Sequence, residues 1–335
     1  MLSRFKWVAL AAAALWSAQA MADVTLYSGQ HPSGTEAVTQ AFTKATGIKV
    51  VIKQGSSEQM AGQLVEEGER TPADVFWAEQ ITPMLSLSQF GLLAALPDDV
   101  IAATSSAGYD TVPLAEKRDW VATSGRARVV VYDPQQIQAD ELAESVLDYA
   151  KPEWAGRVGY VPTSGAFLEQ IMGITKLKGE DAALAWLQGL KKYQKSYAKN
   201  SVALTAVERG AVPLALINNY YWYNMAREAG GPDKVRSRLA FIGHKDPGAM
   251  MTYAAIAALE HSDNRDEALQ FVRFVVSQEG QAVFANLRAE YPLRSDVESS
   301  FDLYPYAQVD PPAIGVTTFE DKEKALALLE KAGLK

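Results

Sequence analysis

The chain has 335 residues, with 32 basic and 40 acidic side chains, a formal net charge of −8, 48% hydrophobic residues and no cysteine. This acidic balance, scattered along the chain, argues against nucleic acid or an anionic membrane as a partner. Because cysteine is absent, disulfides, thiolate metal sites and cysteine nucleophiles are excluded, and any metal must be bound by oxygen or imidazole.

The N-terminus has the three-part pattern of a secretory signal peptide. Arg4 and Lys6 in MLSRFK precede the apolar run WVALAAAALW, and SAQAMA offers two small-residue cleavage sites. Cleavage after Ala20 or Ala22 fits, and we prefer Ala22, which makes Asp23 the first mature residue. A lipoprotein is excluded by the missing cysteine. We therefore expect a periplasmic protein, and a soluble one, because no other stretch approaches about 18 apolar residues.

The first part of the mature chain alternates strand and helix signals. DVTLYS, IKVVIK and ADVFWA are predicted strands, and GTEAVTQAFTKATG and SEQMAGQLVEEGER are predicted helices between them. The first helix has Val38, Ala41, Phe42 and Ala45 on one face and ends at Gly47. Strands that alternate with helices through short turns predict a parallel sheet with right-handed crossovers.

The same alternation then restarts. RARVVVYD, RVGYVP and PLALIN are predicted strands, and SGAFLEQIMGITKLKG, DAALAWLQGLKKY and SVALTAVERG are predicted helices, the last capped by Asn200 or Ser201. The apolar run GAMMTYAAIAAL is a strand that could return the chain to the first sheet. Further helices are predicted at 265–277 and 279–288, and DKEKALALLEKAG closes the chain.

This order predicts two α/β lobes that are joined by more than one crossing strand and enclose a ligand cleft. The first lobe comprises 23–124 and 251–300, and the second comprises 125–250 and 301–335. A secreted, two-lobed α/β protein is typical of the periplasmic binding proteins, which close by a hinge around a ligand. The fold class alone does not identify that ligand.

Polar residues follow the strands that should face the cleft, where open α/β sheets bind their ligands. His31 follows the first strand, and Tyr220 and Tyr221 follow PLALIN; the other positions are Glu79, Gln80, Ser164, Gly165, Ala166 and Asn218. Two adjacent tyrosines can face one pocket only if the strand ends there and the backbone turns. Taken alone, each position also has a purely structural explanation, such as a loop histidine or a helix N-cap. His244, in a turn, and His261, in a polar loop, are interpreted as solvated.

Together, His31, Glu79, Tyr220 and Tyr221 form a donor set with a chemical preference. Three oxygen donors and no sulfur suit a hard, highly charged cation. A phenol, whose pKa is about 10, binds at neutral pH only a metal that displaces its proton, which a trivalent ion does best. Zinc would accept the histidine and the glutamate but seldom tyrosinate. The set therefore indicates Fe³⁺, and the turn at Ser164, before a helix, could hold an anion that completes the coordination.

Longer segments resemble a known family over essentially the whole mature chain. DVTLYSGQH, PADVFWAEQ, SGRARVVVYD, GYVPTSGAFLEQI, YAKNSVAL, ALINNYYW and AEYPL are similar to the periplasmic ferric-ion-binding proteins of Gram-negative bacteria, the bacterial transferrins. The resemblance implies a type II, transferrin-lobe-like binding protein fold in which His31, Glu79, Tyr220 and Tyr221 bind one Fe³⁺. It further implies an exogenous anion, often phosphate, at positions Gln80, Ser164, Gly165, Ala166, Asn200 and Asn218.

The function implied by this resemblance is capture of Fe³⁺ and delivery to an inner-membrane ABC permease and its ATPase, by a monomer and without catalysis. Iron would meet the tyrosines and the anion on the second lobe first, and closure would then bring His31 and Glu79. Two alternatives stay open. An enzyme would need a nucleophile and a base, but neither G-x-S-x-G nor H-E-x-x-H occurs. A binding protein for an organic cation such as a polyamine could use the aromatic cluster for stacking.

Overall fold

The computed structural model describes residues 23–104 and 107–335, so the predicted signal peptide with its cleavage after Ala20 or Ala22 lies outside the described residues. The strands are Val24–Ser28 (β1), Val50–Gln54 (β2), Val75–Ala78 (β3), Val121–Tyr132 (β4), Val158–Tyr160 (β5), Lys195–Ser196 (β6), Leu214–Asn218 (β7), Arg238–Ala240 (β8), Met251–Ala258 (β9) and Tyr291–Pro292 (β10). The α-helices are Pro32–Thr46 (α1), Ser57–Glu67 (α2), Ile81–Gln89 (α3), Asp98–Ala103 (α4), Gly165–Lys178 (α5), Glu180–Tyr193 (α6), Asn200–Glu208 (α7), Asn219–Glu228 (α8), Arg265–Val276 (α9), Gln278–Leu287 (α10), Tyr306–Val309 (α11) and Lys322–Lys331 (α12).

The sheet has two halves that share β4. Its order is β2-β1-β3-β9-β4-β7-β5-β6, with β8 and β10 also paired to β4. The beginning of β4, 121–127, pairs with β9, and its end, 128–132, pairs with β7 and β8. We call the half with β1, β2, β3 and β9 the first lobe and the half with β5, β6, β7 and β8 the second lobe. The predicted α/β organisation in two lobes is confirmed.

Within each lobe the predicted parallel pairing is present. β1 is parallel to both β2 and β3, and β5 is parallel to β7. β9 runs antiparallel to β3 and β4, since it returns the chain from the second lobe to the first as the run GAMMTYAAIAAL predicts. The carboxyl ends of the parallel strands therefore face the space between the lobes.

The apolar face predicted for α1 is confirmed at two of its four residues, and a third, Ala41, is half-buried. Val38 and Phe42 are fully buried, and the Phe42 ring meets that of Phe271 on α9 with centroids 5.1 Å apart. Ala45, predicted to share this face, is exposed, because it lies in the last turn before Gly47, whose φ of 81° ends the helix in a left-handed turn. None of the helices in the described part of the chain combines the length and hydrophobicity that crossing a bilayer requires.

Candidate metal centre

Three strand ends place the predicted donors at the boundary between the lobes. His31 follows β1 and immediately precedes α1, and Glu79 follows β3. β7 ends at Asn218 and α8 begins at Asn219, so Tyr220 and Tyr221 lie in the first turn of a helix. Their ring centroids are 4.2 Å apart, which the predicted turn at this strand end allows and an extended strand would not.

The Glu79 carboxylate is the point at which donors of both lobes meet. The Tyr220 hydroxyl donates to Glu79 Oε1 at 3.0 Å, and His31 Nε2 lies 3.3 Å from the same oxygen. The His31 and Tyr220 rings meet edge to face with centroids 5.0 Å apart. Arg126 Nη1, from β4, lies 3.1 Å from Glu79 Oε1. One imidazole, one carboxylate and one phenol thus converge, with the second phenol adjacent.

The protonation of this cluster follows from burial and charge. Burial alone would raise the pKa of Glu79, but His31, Arg126 and the Tyr220 hydroxyl together lower it to about 2. Burial, reinforced by the negative charge of Glu79, raises the pKa of both Tyr220 and Tyr221. The carboxylate is therefore ionised and the phenols are neutral at pH 7, so a cation that binds the phenols must displace their protons.

A cavity of about 220 Å³ opens beside these donors. It is lined by Glu79, Gln80, Val161, Thr163, Ser164, Gly165, Ala198, Lys199, Asn200, Ser201, Asn218, Tyr220 and Tyr221. Eight of the ten predicted site residues are in this lining. His31 reaches the cluster through Glu79 instead, and Ala166 is buried in the first turn of α5, where it would offer a ligand only its backbone N–H.

The part of the cavity opposite Glu79 has the features of an anion site. Ser164 is the N-cap of α5, and Asn200 Nδ2 donates to Ser164 Oγ at 3.4 Å. The prediction that Asn200 or Ser201 caps α7 is therefore wrong: the cap position is Lys199, and the Asn200 amide contacts the N-cap of α5 instead. Asn200 Oδ1 is buried and has no hydrogen-bond partner among the described residues. The positive N-terminus of α5 favours negative charge here.

Gln80 reaches from the first lobe to the second at this point. A Cβ atom on Gly165 would lie 2.9 Å from Gln80 Cδ and 3.1 Å from its amide nitrogen and oxygen. The missing side chain of Gly165 therefore leaves the space that the Gln80 amide occupies. Asn218 lies on the same side, where its Oδ1 accepts from Arg128 Nη1 at 2.8 Å.

Several buried residues of the site are absent from the sequence-based prediction. Arg126 is fully buried beside Glu79, and Glu290, equally buried, lies 3.7 Å from His31 Nε2 and accepts from Ser124 Oγ at 2.5 Å. The buried arginines could have been recognised from the sequence. Arg126 and Arg128 lie two residues apart in an apolar strand, and alternate residues of a strand point to the same face. Glu290 carries no comparable signal, since its role depends on β10 pairing with β4.

One hydroxyl connects the two donors of the first lobe. Ser57 Oγ accepts from the Glu79 backbone N–H at 2.9 Å and donates to the Gly29 carbonyl at 3.5 Å. A Cβ on Gly29 would lie within 2.7 Å of three Ser57 atoms, so this approach requires glycine. The loops that carry His31 and Glu79 are thus held against the same residue at the start of α2.

The other histidines are as predicted: His244 is exposed, and His261 has 40% of its side chain exposed. In the described ranges, no three histidine, aspartate or glutamate side chains lie close enough together to hold a metal ion.

The chain is similar to known proteins in both sequence and structure. A family model for bacterial extracellular solute-binding proteins matches residues 37–308. The major ferric iron-binding protein of Neisseria meningitidis serogroup A is 52% identical over 335 residues, covering 100% of both chains. The Fe(3+)-binding periplasmic protein of Serratia marcescens is 30% identical over 319 residues, or 95% of this chain and 92% of that protein.

A solved structure of an iron-bound protein has the same fold as this chain. The structure of iron-bound HitA from Pseudomonas aeruginosa superposes with a TM-score of 0.87 at 40% identity. The superposition covers 93% of this chain and 99% of that chain. The two-lobed arrangement described above is therefore that of known binding proteins.

Proposed function

The chain belongs to the family of bacterial extracellular solute-binding proteins, and from this premise we propose that it captures ferric iron together with a small anion and carries it to a transporter. One observation supports this most directly: His31, Glu79 and Tyr220 meet at one carboxylate oxygen, with Tyr221 beside them. The names of the relatives from Neisseria and Serratia, and the iron in the Pseudomonas structure, agree with this proposal.

The donor set suits Fe³⁺ by its charge. Glu79 supplies one negative charge, and the two phenols supply two more once their protons are displaced, which neutralises a trivalent cation. A divalent cation gains less from tyrosinate and does not compensate as well for the burial that raises the pKa of both phenols. Selectivity for a trivalent ion follows from the need to remove these two protons.

The anion would bind opposite the carboxylate. Four protein donors fill four of the six coordination positions of an octahedral ion, and we assign the remaining two to an oxyanion such as phosphate. The residues proposed to hold it are Gln80, Ser164, Gly165, Ala166, Asn200 and Asn218. The N-terminus of α5 and the unpartnered Asn200 Oδ1, which could accept a proton carried by the anion, support this placement.

Binding would proceed from the second lobe to the first. In the open form the tyrosines and all the proposed anion-binding residues except Gln80 would lie on the second lobe, so iron would be bound there first. Rotation about the strands that cross between the lobes, with boundaries near 124/125, 250/251 and 300/301, would then bring His31 and Glu79 onto the metal. The closed protein, a monomer in the periplasm, would dock to an inner-membrane ABC permease that works with its ATPase. This is binding and delivery, with no catalytic step.

The test is a visible absorption spectrum of the purified protein during titration with ferric iron in phosphate buffer. A tyrosinate-to-iron charge-transfer band that saturates at one iron per chain is expected. Tyr221→Phe should abolish most of the band and weaken iron binding by orders of magnitude, His31→Ala should weaken it less, and Tyr193→Phe on α6 is the control. A protein that shows no band and instead binds a polyamine tightly without metal would contradict the proposal.

A further inference from the structure

A second contact joins the lobes beyond the donor cluster. Thr82 on α3 belongs to the first lobe, and its Oγ1 donates to Oε1 of Glu169 on α5 of the second lobe at 3.3 Å. Both residues are buried, with 6% and 1% of their surface exposed. α3 begins directly after Gln80, and α5 begins at Gly165. This hydrogen bond therefore connects the two helices whose first turns face each other across the cleft.

The surroundings of Glu169 are poor in polar partners. Its Oε2 is buried and makes no hydrogen bond within the described ranges. Glu169 also lines a cavity of about 10 Å³ together with Thr252 of β9, whose Oγ1 likewise has no partner there. Thr111 and Tyr253 also line it, but their hydroxyls bond to each other, and burial raises the pKa of Tyr253, which keeps this phenol neutral. The rest of the lining is apolar, with Ile81, Met251 and Phe319 among it. A space of this size holds about one water molecule, so little water is available to solvate a negative charge.

Few charges act on Glu169 in this position. Burial raises its pKa to about 7, with a small further contribution from Glu58 on α2. Arg126 on β4 is the strongest influence in the opposite direction, and the backbone N–H and the hydroxyl of Thr82 add to it by hydrogen bonding to the carboxylate. Burial outweighs all three. The carboxyl group is therefore partly protonated near neutral pH while the lobes stay closed.

We propose that Thr82 and Glu169 form a latch that holds the closed lobes together, and that loss of the Glu169 proton to solvent releases it. Opening separates α3 from α5, and water can then solvate the carboxylate. Ionisation is easier in the open form than in the closed form, so closure takes up a proton at Glu169. Acidification from above pH 7 consequently favours closure through this residue. The proposed iron-carrier function gives the latch its role, which is to retain the metal.

The closed fraction can be measured without iron. Because the chain has no cysteine, spin labels can be placed uniquely at Val51→Cys and Gln188→Cys, both exposed and on opposite lobes, and pulsed electron paramagnetic resonance then gives the distance distribution. The variants are Glu169→Gln, which keeps an acceptor but cannot ionise, and Thr82→Val, which lacks the donor. Thr39→Val is the control, since that buried hydroxyl bonds only within α1.

The expected results differ for each variant. In the unsubstituted protein and the Thr39 control, the closed fraction should fall as the pH rises from about 5 to about 8. In Glu169→Gln it should stay high throughout. In Thr82→Val the ratio of closed to open molecules at the acidic end should be about fivefold lower than in the control, the effect of one lost hydrogen bond. Identical pH dependence in Glu169→Gln and the unsubstituted protein would overturn the proton linkage. Unchanged closure in Thr82→Val would overturn the latch.

The same variants are then titrated with ferric iron in phosphate buffer against a fixed concentration of citrate. The ratio of the affinity of Glu169→Gln to that of the unsubstituted protein should rise by about tenfold or more between pH 5.5 and pH 8. A ratio that stays constant contradicts the latch even if iron binds. Failure of every form to bind iron would refute the carrier function, whereas the distance measurement would still decide on the latch.

Discussion

Gly165→Ala tests whether the closed cleft depends on the space above the first turn of α5. The new methyl group would lie 2.9 Å from Gln80 Cδ, and such a contact forces the amide to move by several tenths of an ångström. The amide is the end of a flexible side chain that borders the cavity, so the cost lies at the lower end of the range for overpacking, about 1 kcal/mol. Because Gln80 belongs to the first lobe, the cost arises only in the closed form. We expect iron affinity to fall by about fivefold, the same free energy expressed as a ratio.

Folding stability should change in the opposite direction. Gly165 has no positive φ, and alanine in a helix restricts the unfolded chain, which stabilises a protein by about 0.4–1 kcal/mol. The assay pairs the iron affinity, from competition with citrate followed at the charge-transfer band, with the thermal unfolding midpoint. A weaker affinity with an unchanged or higher midpoint is the expected combination.

A double-mutant cycle separates the steric effect from loss of the anion contact. In Gln80→Ala the amide that the methyl group would meet is gone, so adding Gly165→Ala to it should cost little more. If the double variant loses as much further affinity as Gly165→Ala loses by itself, the contact with Gln80 is not the cause. The explanation would then have to lie with the anion or with the backbone of α5.

The remaining predictions concern stability, measured by denaturant unfolding. Gly189→Ala in α6 should lower the free energy of unfolding by about 1–3 kcal/mol, although alanine favours helix formation, because its Cβ would lie 2.2 Å from the Ala150 carbonyl oxygen. An unfolding midpoint above that of the unsubstituted protein would contradict this. Phe271→Ala should cost about 3–5 kcal/mol, since the ring is fully buried, and a loss below 1 kcal/mol would mean that the site collapses around the cavity. Asp133→Asn should lower the free energy of unfolding by about 1–3 kcal/mol at pH 7. Burial alone would raise the pKa of the Asp133 carboxyl, but its hydrogen bonds, among them the one with Arg236 at 2.6 Å, lower it. The ionised carboxylate therefore stabilises the folded protein. That stabilisation is fully present above the unfolded-state pKa of about 4 and is lost as the pH falls through the lower folded-state value. The difference between Asp133→Asn and the unsubstituted protein should therefore shrink as the pH falls below about 4, and a difference that stays constant or grows there would refute the assignment.

The sequence allowed the donors to be predicted because each directly follows a strand that is easy to recognise. An apolar run before Asn218 and a helical pattern after it place Tyr220 and Tyr221 at a strand end, and the rule for open α/β sheets then assigns them to the cleft. His31 and Glu79 follow from the same reasoning. The structure brings three of these side chains to one oxygen atom, while their role as metal ligands stays a prediction.

The buried charges could not be predicted in this way. Glu169 lies inside a helix among apolar residues, and nothing in its local pattern distinguishes it from a carboxylate on a solvated face. Its position depends on how α3 meets α5 across the two lobes, and Thr82 and Glu169 are 87 positions apart in the sequence. Glu290 similarly owes its place to the short strand β10, whose two residues are too few for a periodic pattern. Contacts of this kind are set by tertiary packing.

The shared contact of the His31 and Glu79 loops with Ser57 has a consequence for the kinetics of metal exchange. One hydroxyl bonds the backbone at both Gly29 and Glu79, so we expect the two loops to move as one unit. As the proposed metal ligands, the imidazole and the carboxylate would then arrive together as a bidentate chelator. Once either group had bound, the effective concentration of the other at the metal would be far above that of a free competitor. Exchange of iron would be governed by the motion of the whole unit, and a competing chelator would gain little by displacing a single ligand.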